Sequence, residues 1–354
     1  MNYIGSKYTL LPFLERVFRQ VADGGEQVFC DLFAGTGAVG RRFKSLGLRV
    51  IANDLQYYAW ALNKAYIEIN ETPVFAGLNR AYKTEIAGHR PHSDMPVAAV
   101  LSFINNLPGV CGFITQHYSP AGGRLYYTTE NAEKADAIRQ AIESWRADRI
   151  ITEPEYFYLL CSLLEATDQV ANTASVYGAY LKRFKESAKR PLRLRPLELV
   201  NHVGECRAFQ RDANELIHEV QCDVLYLDPP YNHRQYGANY HVLETIAAYD
   251  NPQLTGLTGM RDYPKSPYCQ KRSARAAMEH LIRHARARHI LVSYNDEGVM
   301  SLAEIQDLLR LRGEPKIFET AYNRFKADNG RQYRRDSTIE YVHYVKVARP
   351  PAAS

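Results

Sequence analysis

Asp31-Leu32-Phe33-Ala34-Gly35-Thr36-Gly37-Ala38-Val39-Gly40 is the stretch on which the fold turns. An apolar run from Gln27 to Phe33 enters it, and a helical pattern from Ala38 to Leu46 leaves it. A glycine turn between strand and helix lets a ligand approach the backbone closely, at a positive helix N-terminus. Working outward, Arg49 to Asn53 reads as a second strand and Gln56 to about Asn70 as a second helix. That alternation predicts parallel strands joined by crossover helices.

Further along, the pattern breaks and then returns. Glycines and prolines interrupt residues 73–123, and helical stretches follow at Asn131 to Asp148 and Glu155 to Thr167. Strand–helix alternation resumes with Cys206 to Gln210, Ala213 to Glu219, Asp223 to Leu227 and a helix from Tyr240 to Tyr249. A helix from Arg275 to Arg288 leads into a strand at His289 to Ser293, and Ser301 to Leu311 reads as another helix. Lys316 to Tyr322 and Thr338 to Val347 close the chain as a strand pair. The reading is one α/β sheet domain, residues 1–71 and 199–349, split by an inserted, largely helical module at 72–198. Residues 350–354 read as a disordered tail.

Among 354 residues, 46% are hydrophobic and 23% charged, which is globular composition. No stretch approaches the ~18 apolar residues of a membrane span, and the N-terminus lacks a signal peptide's long apolar run. A membrane or secreted protein is therefore not expected. Six cysteines without a Cys-x-x-Cys pair predict buried free thiols in a reducing cytosol. His280 and His284 stand four apart, but Arg283, Arg286 and Arg288 crowd them, so a solvated basic face is expected and no metal.

The net charge of +5 is mild, but its distribution points to a polyanion. Lys182 to Arg195 holds seven cations and one anion. Arg261 to Arg275 adds basic residues among Tyr263 and Tyr268, and Arg324 to Arg335 adds more around Phe325 and Tyr333. Cations interleaved with aromatic rings suit a surface that tracks phosphates and stacks on bases.

Two clusters carry chemistry. Gly35-x-Gly37-x-x-Gly40 fits the dinucleotide fingerprint, and Asp54, 19 residues after Gly35, is placed to accept hydrogen bonds from both ribose hydroxyls. Nicotinamide nucleotides and other adenosine cofactors both satisfy that pattern. Asp31 tilts the choice, because a buried carboxylate would repel a pyrophosphate yet pair with an ammonium group such as that of S-adenosylmethionine.

The second cluster is Asp223-Val224-Leu225-Tyr226-Leu227-Asp228-Pro229-Pro230-Tyr231, an apolar strand running into an acid, two prolines and a ring. Pro229 pushes Asp228 out of helical geometry and the paired prolines stiffen the turn. The Asp228 carboxylate and a backbone carbonyl can hold both hydrogens of an exocyclic amine and draw its nitrogen towards tetrahedral geometry. The Tyr231 face can stack on a base pulled out of a helix.

Together these pieces resemble the D12 class of N6-adenine-specific DNA methyltransferases, the group that includes the DNA adenine methylases. The likeness runs from Tyr3 and Lys7 through the Asp31 to Gly40 turn, Asp54, Arg211-Asp212-Ala213, Asp228 to Tyr231, and His289 to Asn295. It implies a Rossmann-like S-adenosylmethionine-dependent sheet with a target-recognition module between Asp54 and Asp212. It further implies cofactor contacts from Tyr3, Lys7, Asp31, Phe33, Gly35, Gly37, Asp54, Asp212 and Asp228, with Asp212 taking the cofactor's adenine amine. Catalysis falls to Asp228, Pro229 and Tyr231. The substrate implied is double-stranded DNA in a bacterial or phage setting, the chain acting either as the modification enzyme of a restriction-modification system, with a cognate restriction endonuclease as a functional counterpart, or as an orphan methylase. Tyr231 to Thr245 resembles a subgroup of type II modification enzymes. An RNA methyltransferase, a protein-glutamine methyltransferase and a non-catalytic DNA-binding module are the rivals. The inserted basic module disfavours the first, Asp rather than Asn at 228 the second, and the intact glycine turn the third.

Overall fold

The computed structural model describes residues 7–88, 97–233, 235–323 and 337–348. Tyr3, Arg234, the whole basic stretch at 324–335 and the tail lie outside them. The described chain divides into two compact units. A helical unit takes Lys64–Asn201 and Gly237–Tyr263, and a sheet unit takes the remainder.

The sheet unit holds seven strands: β1 (Val28–Asp31), β2 (Arg49–Asn53), β3 (Arg207–Phe209), β4 (Val224–Leu227), β5 (His289–Asn295), β6 (Pro315–Asn323) and β7 (Ser337–Lys346). Their order is β3-β2-β1-β4-β5-β7-β6. The first five run parallel, and β7 lies antiparallel between β5 and β6. The α/β class expected from the alternation is therefore the class found. From β1 the chain steps outward through β2 to β3, whereas β4 lies on β1's other side and steps outward to β5. The switch falls between β1 and β4, where Cys30 pairs with Leu225. In such sheets, ligands bind in the crevice beyond the carboxyl ends of the two central strands.

Every residue of β4 and β5 is buried, as in strands covered on both faces. Leu225, Leu227, Ile290 and Val292 share a core with Met278, Leu281 and Ile282 of the helix Lys271–His284 and with Ile305 and Leu308 of Leu302–Arg310. Ser301 and Glu304 cap that last helix reciprocally. Phe29 of β1 stacks on Phe43 at 3.8 Å between centroids, and Phe43 meets Phe18 edge-on. Phe18 belongs to Leu11–Val21, a helix the sequence reading did not separate from the N-terminal segment. At the foot of the sheet the Asp223 carboxylate accepts the amides of Gln27 and Val28 at 2.8 and 2.9 Å, fixing β4 against β1.

Thr129–Ala147 and Glu153–Gln169 dominate the helical unit, capped by Thr128 and Thr152. Among the described residues, four short α-helices, Ala76–Ala81, Lys83–Gly88, Ala98–Asn105 and Phe113–Tyr118, and a 3-10 turn, Pro120–Gly122, occupy the stretch read as irregular. The unit also recruits Gly237–Tyr263, which the sequence reading left with the sheet. Buried Arg139 explains the recruitment: it donates to the carbonyls of Ile246 and Ala247, at the end of the helix His241–Ala248, at 2.9 and 2.8 Å. Buried Asp136 accepts the amides of Gly112, Ile114 and Thr115 and the Tyr249 hydroxyl.

Candidate active site

β1 ends on Asp31 and β4 runs into Asp228, so two acids stand at the switch between the central strands. The turn after β1 places Gly37 at φ +77°, where a Cβ would come within 2.8 Å of Asn63 Oδ1. Asn63 in turn donates to the Gly35 carbonyl at 2.9 Å. Asp54, directly after β2, accepts the amides of Gly35 and Gln56, both at 2.9 Å. Burial raises its pKa to about 6 although the Gln56, Gly35 and Leu55 amides oppose the shift. Asp31 accepts the Phe33 amide at 3.2 Å. Its burial, then the charge of Asp228, hold it well above the usual carboxylate range.

Asp212 caps the short helix Ala213–Leu216, accepting the Asn214 amide at 2.7 Å. Phe33 meets Tyr268 edge-on at 5.1 Å, and the Tyr268 hydroxyl donates to Asn214 at 2.6 Å. Tyr268 is thus a buried strut between the glycine turn and the Asp212 helix. That corrects the reading of it as a base-stacking ring on a basic surface.

Asp228 is met by Lys7, which the sequence reading gave to the cofactor. Lys7 Nζ lies 3.2 Å from Asp228 Oδ1, 3.5 Å from Glu340 Oε2 and 5.3 Å from the centre of the Tyr231 ring. The ammonium is only 4% exposed. Burial alone would depress it, but Asp228, Tyr231 and Glu340 outweigh that and keep it charged. For Asp228, burial raises the pKa most, Lys7 pulls it down and Glu340 pushes it up, leaving it at about 6. Its Oδ1 is buried with a cation beside it yet has no aligned donor among the described residues. The Tyr231 ring stands edge-on to Tyr294 at 5.6 Å, and its carbonyl accepts the Val299 amide at 2.8 Å. Pro229 is buried.

Glu340 is the site residue that sequence reasoning missed. It lies on β7 opposite Asn295 and is 5% exposed. Its one local mark is an acid between Ile339 and Tyr341, which does not by itself point to the site.

Folding also adds His218 to His280 and His284, their ring atoms within 4.8 Å of one another. Asn214 donates to His280 Nδ1 at 3.1 Å, which puts the His280 proton on Nε2, facing His218 Nε2 at 3.3 Å. His284 Nδ1 faces the His280 carbonyl at 2.8 Å. The His218 and His280 imidazoles face each other across one proton, which a metal bound at both nitrogens would have to displace. All described cysteines are free; five are buried, and Cys111 is exposed rather than buried as expected.

In the helical unit, the basic run is extended and held at close intervals. Asn131 accepts the Leu192 amide, Asn105 that of Leu194 and the Tyr158 hydroxyl that of Leu197, at 2.7–2.9 Å. Leu192 and Leu194 are buried, so Lys189, Arg190, Arg193 and Arg195 face solvent. Lys185 is instead turned onto the Thr173 carbonyl at 2.7 Å. No described helix is long and apolar enough to cross a membrane.

The mixed seven-stranded α/β sheet, with a glycine turn after its first strand and acids at the switch between the central strands, is consistent with the Rossmann-like methyltransferase class of fold. The family model for D12 class N6 adenine-specific DNA methyltransferases matches residues 3–307, and the chain belongs to that family. It is 44% identical to the type II methyltransferase M.NlaIII of Neisseria lactamica, over 98% of this chain and 99% of the relative. Identity to M.CviAII of Paramecium bursaria Chlorella virus 1 is 33%, over 92% and 93%. With M.FokI of Planomicrobium okeanokoites it is 38%, over 98% of this chain but 52% of the relative, so the chain spans about half of that protein. A DNA methyltransferase requires a methyl donor and takes DNA as substrate.

Proposed function

We propose that the protein methylates N6 of an adenine turned out of duplex DNA, with S-adenosylmethionine as donor, as the modification partner of a restriction endonuclease. The observation that carries this reading is Asp228, buried against Lys7 beside the Tyr231 ring, at the strand end next to Asp31 and Asp54. The donor set fits the cofactor. Three carboxylates with raised pKa values favour a ligand bringing a cation and hydroxyl donors. Asp31 would take the ammonium, Asp54 the ribose, Asp212 the adenine amine, and Phe33 and the glycine turn the close contacts. The bound cofactor supplies an electrophilic methyl group on a sulfonium.

The protein's own part is to hold the amine. Tyr231 stacks on the extruded base, and the carbonyl of Pro229 and the carboxylate of Asp228 accept the two N6 hydrogens. With the donor bound, the N6 lone pair would leave the ring system to take the methyl group from the sulfonium, and Asp228 would receive one N6 proton. Asp228 must be ionised to accept it, a state that Lys7 favours and burial opposes. Target recognition and much of the phosphate contact fall to the helical unit with its row of exposed cations. The setting is the cytoplasm of a bacterium or of a phage-infected cell. No stable complex with the endonuclease is implied.

The test is to incubate the protein with labelled S-adenosylmethionine and duplex DNA, then map modified adenines in the product by sequencing. Label in N6-methyladenine at one short recurrent site is expected. Label appearing only in RNA or protein, or none at all, would refute the reading.

A further inference from the structure

His218, His280 and His284 meet within the sheet unit, and the proposed reaction uses none of them. His280 and His284 lie one turn apart on the helix Lys271–His284, and His218 follows the short helix capped by Asp212. All three are half-buried, so an ion can reach them from water. The Nε2 atoms of His218 and His280 are 3.3 Å apart. Nitrogens bonded at about 2.0–2.1 Å to a tetrahedral zinc stand roughly 3.3–3.4 Å apart, so this pair already spans one edge of such a site. The His284 ring centre lies 4.3 Å from that of His280 and 4.6 Å from that of His218. Its Nδ1 donates to the His280 carbonyl at 2.8 Å, which leaves a lone pair on Nε2. Metal-bound imidazoles make the same outer bond. His218 Nε2 also carries a lone pair, since it accepts the His280 proton.

That proton is the obstacle, and the network around Asn214 gives it a place to go. Asn214 Nδ2 donates to His280 Nδ1 at 3.1 Å and to the Ala277 carbonyl at 2.9 Å, while its Oδ1 accepts from Tyr268. The Tyr268 hydroxyl also lies 3.5 Å from the Ala277 carbonyl. When the amide turns over, Oδ1 accepts a His280 proton moved to Nδ1, and Nδ2 donates to the Tyr268 oxygen. Tyr268 then donates to Ala277, so three hydrogen bonds become three others and His280 Nε2 is freed. The cost is an amide oxygen set beside the Ala277 carbonyl, a contact that must widen. The arginines that crowd these histidines in sequence are engaged elsewhere. Arg283 pairs with Glu279 at 2.6 Å, Arg288 with Asp23 at 3.3 Å, and Arg286 holds the His218 carbonyl. The cluster of Asp23, Glu26 and His289 differs, because Arg288 and Lys346 already serve as its cations. We propose that His218, His280 and His284 hold one zinc-class divalent cation through their Nε2 atoms, tying the Asp212-capped helix to Lys271–His284. Nitrogen ligands favour zinc, cobalt, nickel or copper over magnesium. The site stands whether or not the protein methylates DNA.

Full-length protein without an affinity tag, stripped of metal, is titrated with Zn²⁺ by calorimetry and with Co²⁺ by visible absorption. One equivalent of Zn²⁺ should bind with a Kd of about 1 μM or tighter, and Co²⁺ should give the intense band of a four-coordinate ion. Mg²⁺ should do neither. His218→Ala and His284→Ala should each weaken Zn²⁺ by at least about a hundredfold. His218→Cys should keep the ion and add a sulfur-to-cobalt charge-transfer band, which separates a lost ligand from a damaged fold. Cys111→Ser should bind as wild type does, although its exposed thiol is the rival ligand. Zn²⁺ should raise the thermal unfolding midpoint of wild type and of His218→Cys but not that of His218→Ala. Absence of a one-equivalent site in the wild type, or wild-type affinity in both alanine variants, overturns the proposal.

Discussion

Lys7 stands between Asp228 and Glu340, and removing its charge or that of Glu340 should shift Asp228 in opposite directions. In the free enzyme kcat/KM should rise with pH through about 6 as Asp228 ionises. Lys7→Met removes the charge that favours the carboxylate, so this acidic limb should move to higher pH. Glu340→Gln removes a charge that disfavours it, so the limb should move to lower pH with cofactor affinity little changed. Two limbs moving the same way would contradict the arrangement. Asp228→Asn should cut single-turnover methylation at saturating cofactor by at least about a hundredfold, the scale of one preorganised electrostatic partner. Asp54→Ala should weaken S-adenosylmethionine binding by roughly two orders of magnitude, measured by titration. Asp31, Asp54 and Asp228 were legible because each lies at a strand end inside a contiguous local pattern. Glu340 was not, because only the antiparallel placement of β7 beside β5 brings it to the site. The same holds for His218, brought to His280 by a contact spanning 62 residues.

The glycine turn is an element whose geometry can be tested without touching the chemistry. Gly37→Ala forces a side chain into the left-handed region and against Asn63. It should cost about 1–3 kcal/mol in urea unfolding and weaken cofactor binding as well. Unaltered stability would mean that the turn can relax away from Asn63. Strands and longer helices were readable to within a few residues, since their apolar periods are long enough to count. The helix read as Gln56 to Asn70 divides into an α-helix, Tyr57–Asn63, and a π-helical turn, Lys64–Glu68. The helices between Ala76 and Tyr118 are six to eight residues long, two turns at most. A period of 3.6 cannot declare itself over so short a run.

For the molecule as a whole, charge placement predicts how it meets DNA. Replacing Lys189, Arg190 and Arg193 together with alanine should lower the log–log salt slope of DNA binding by about two to three units. A slope equal to that of wild type would mark the run as an ordinary solvated surface. The split of the sheet was legible in the return of strand–helix alternation after the basic run. The membership of Gly237–Tyr263 in the helical unit was not, because the buried Arg139 that captures it is one unremarkable arginine in a long helix. The split also sets a timetable for synthesis. Val28 and the Asp223 that anchors it are 195 residues apart. At ~5–20 residues per second, the ribosome needs about 10–40 s to travel between them. Through that interval the nascent chain carries β1 and β2 without β4, leaving the β1 edge unpaired and open to other chains. A chain released anywhere before Asp223 has the glycine turn but lacks β4 and β5, so on the proposed mechanism it also lacks the acid that receives the N6 proton.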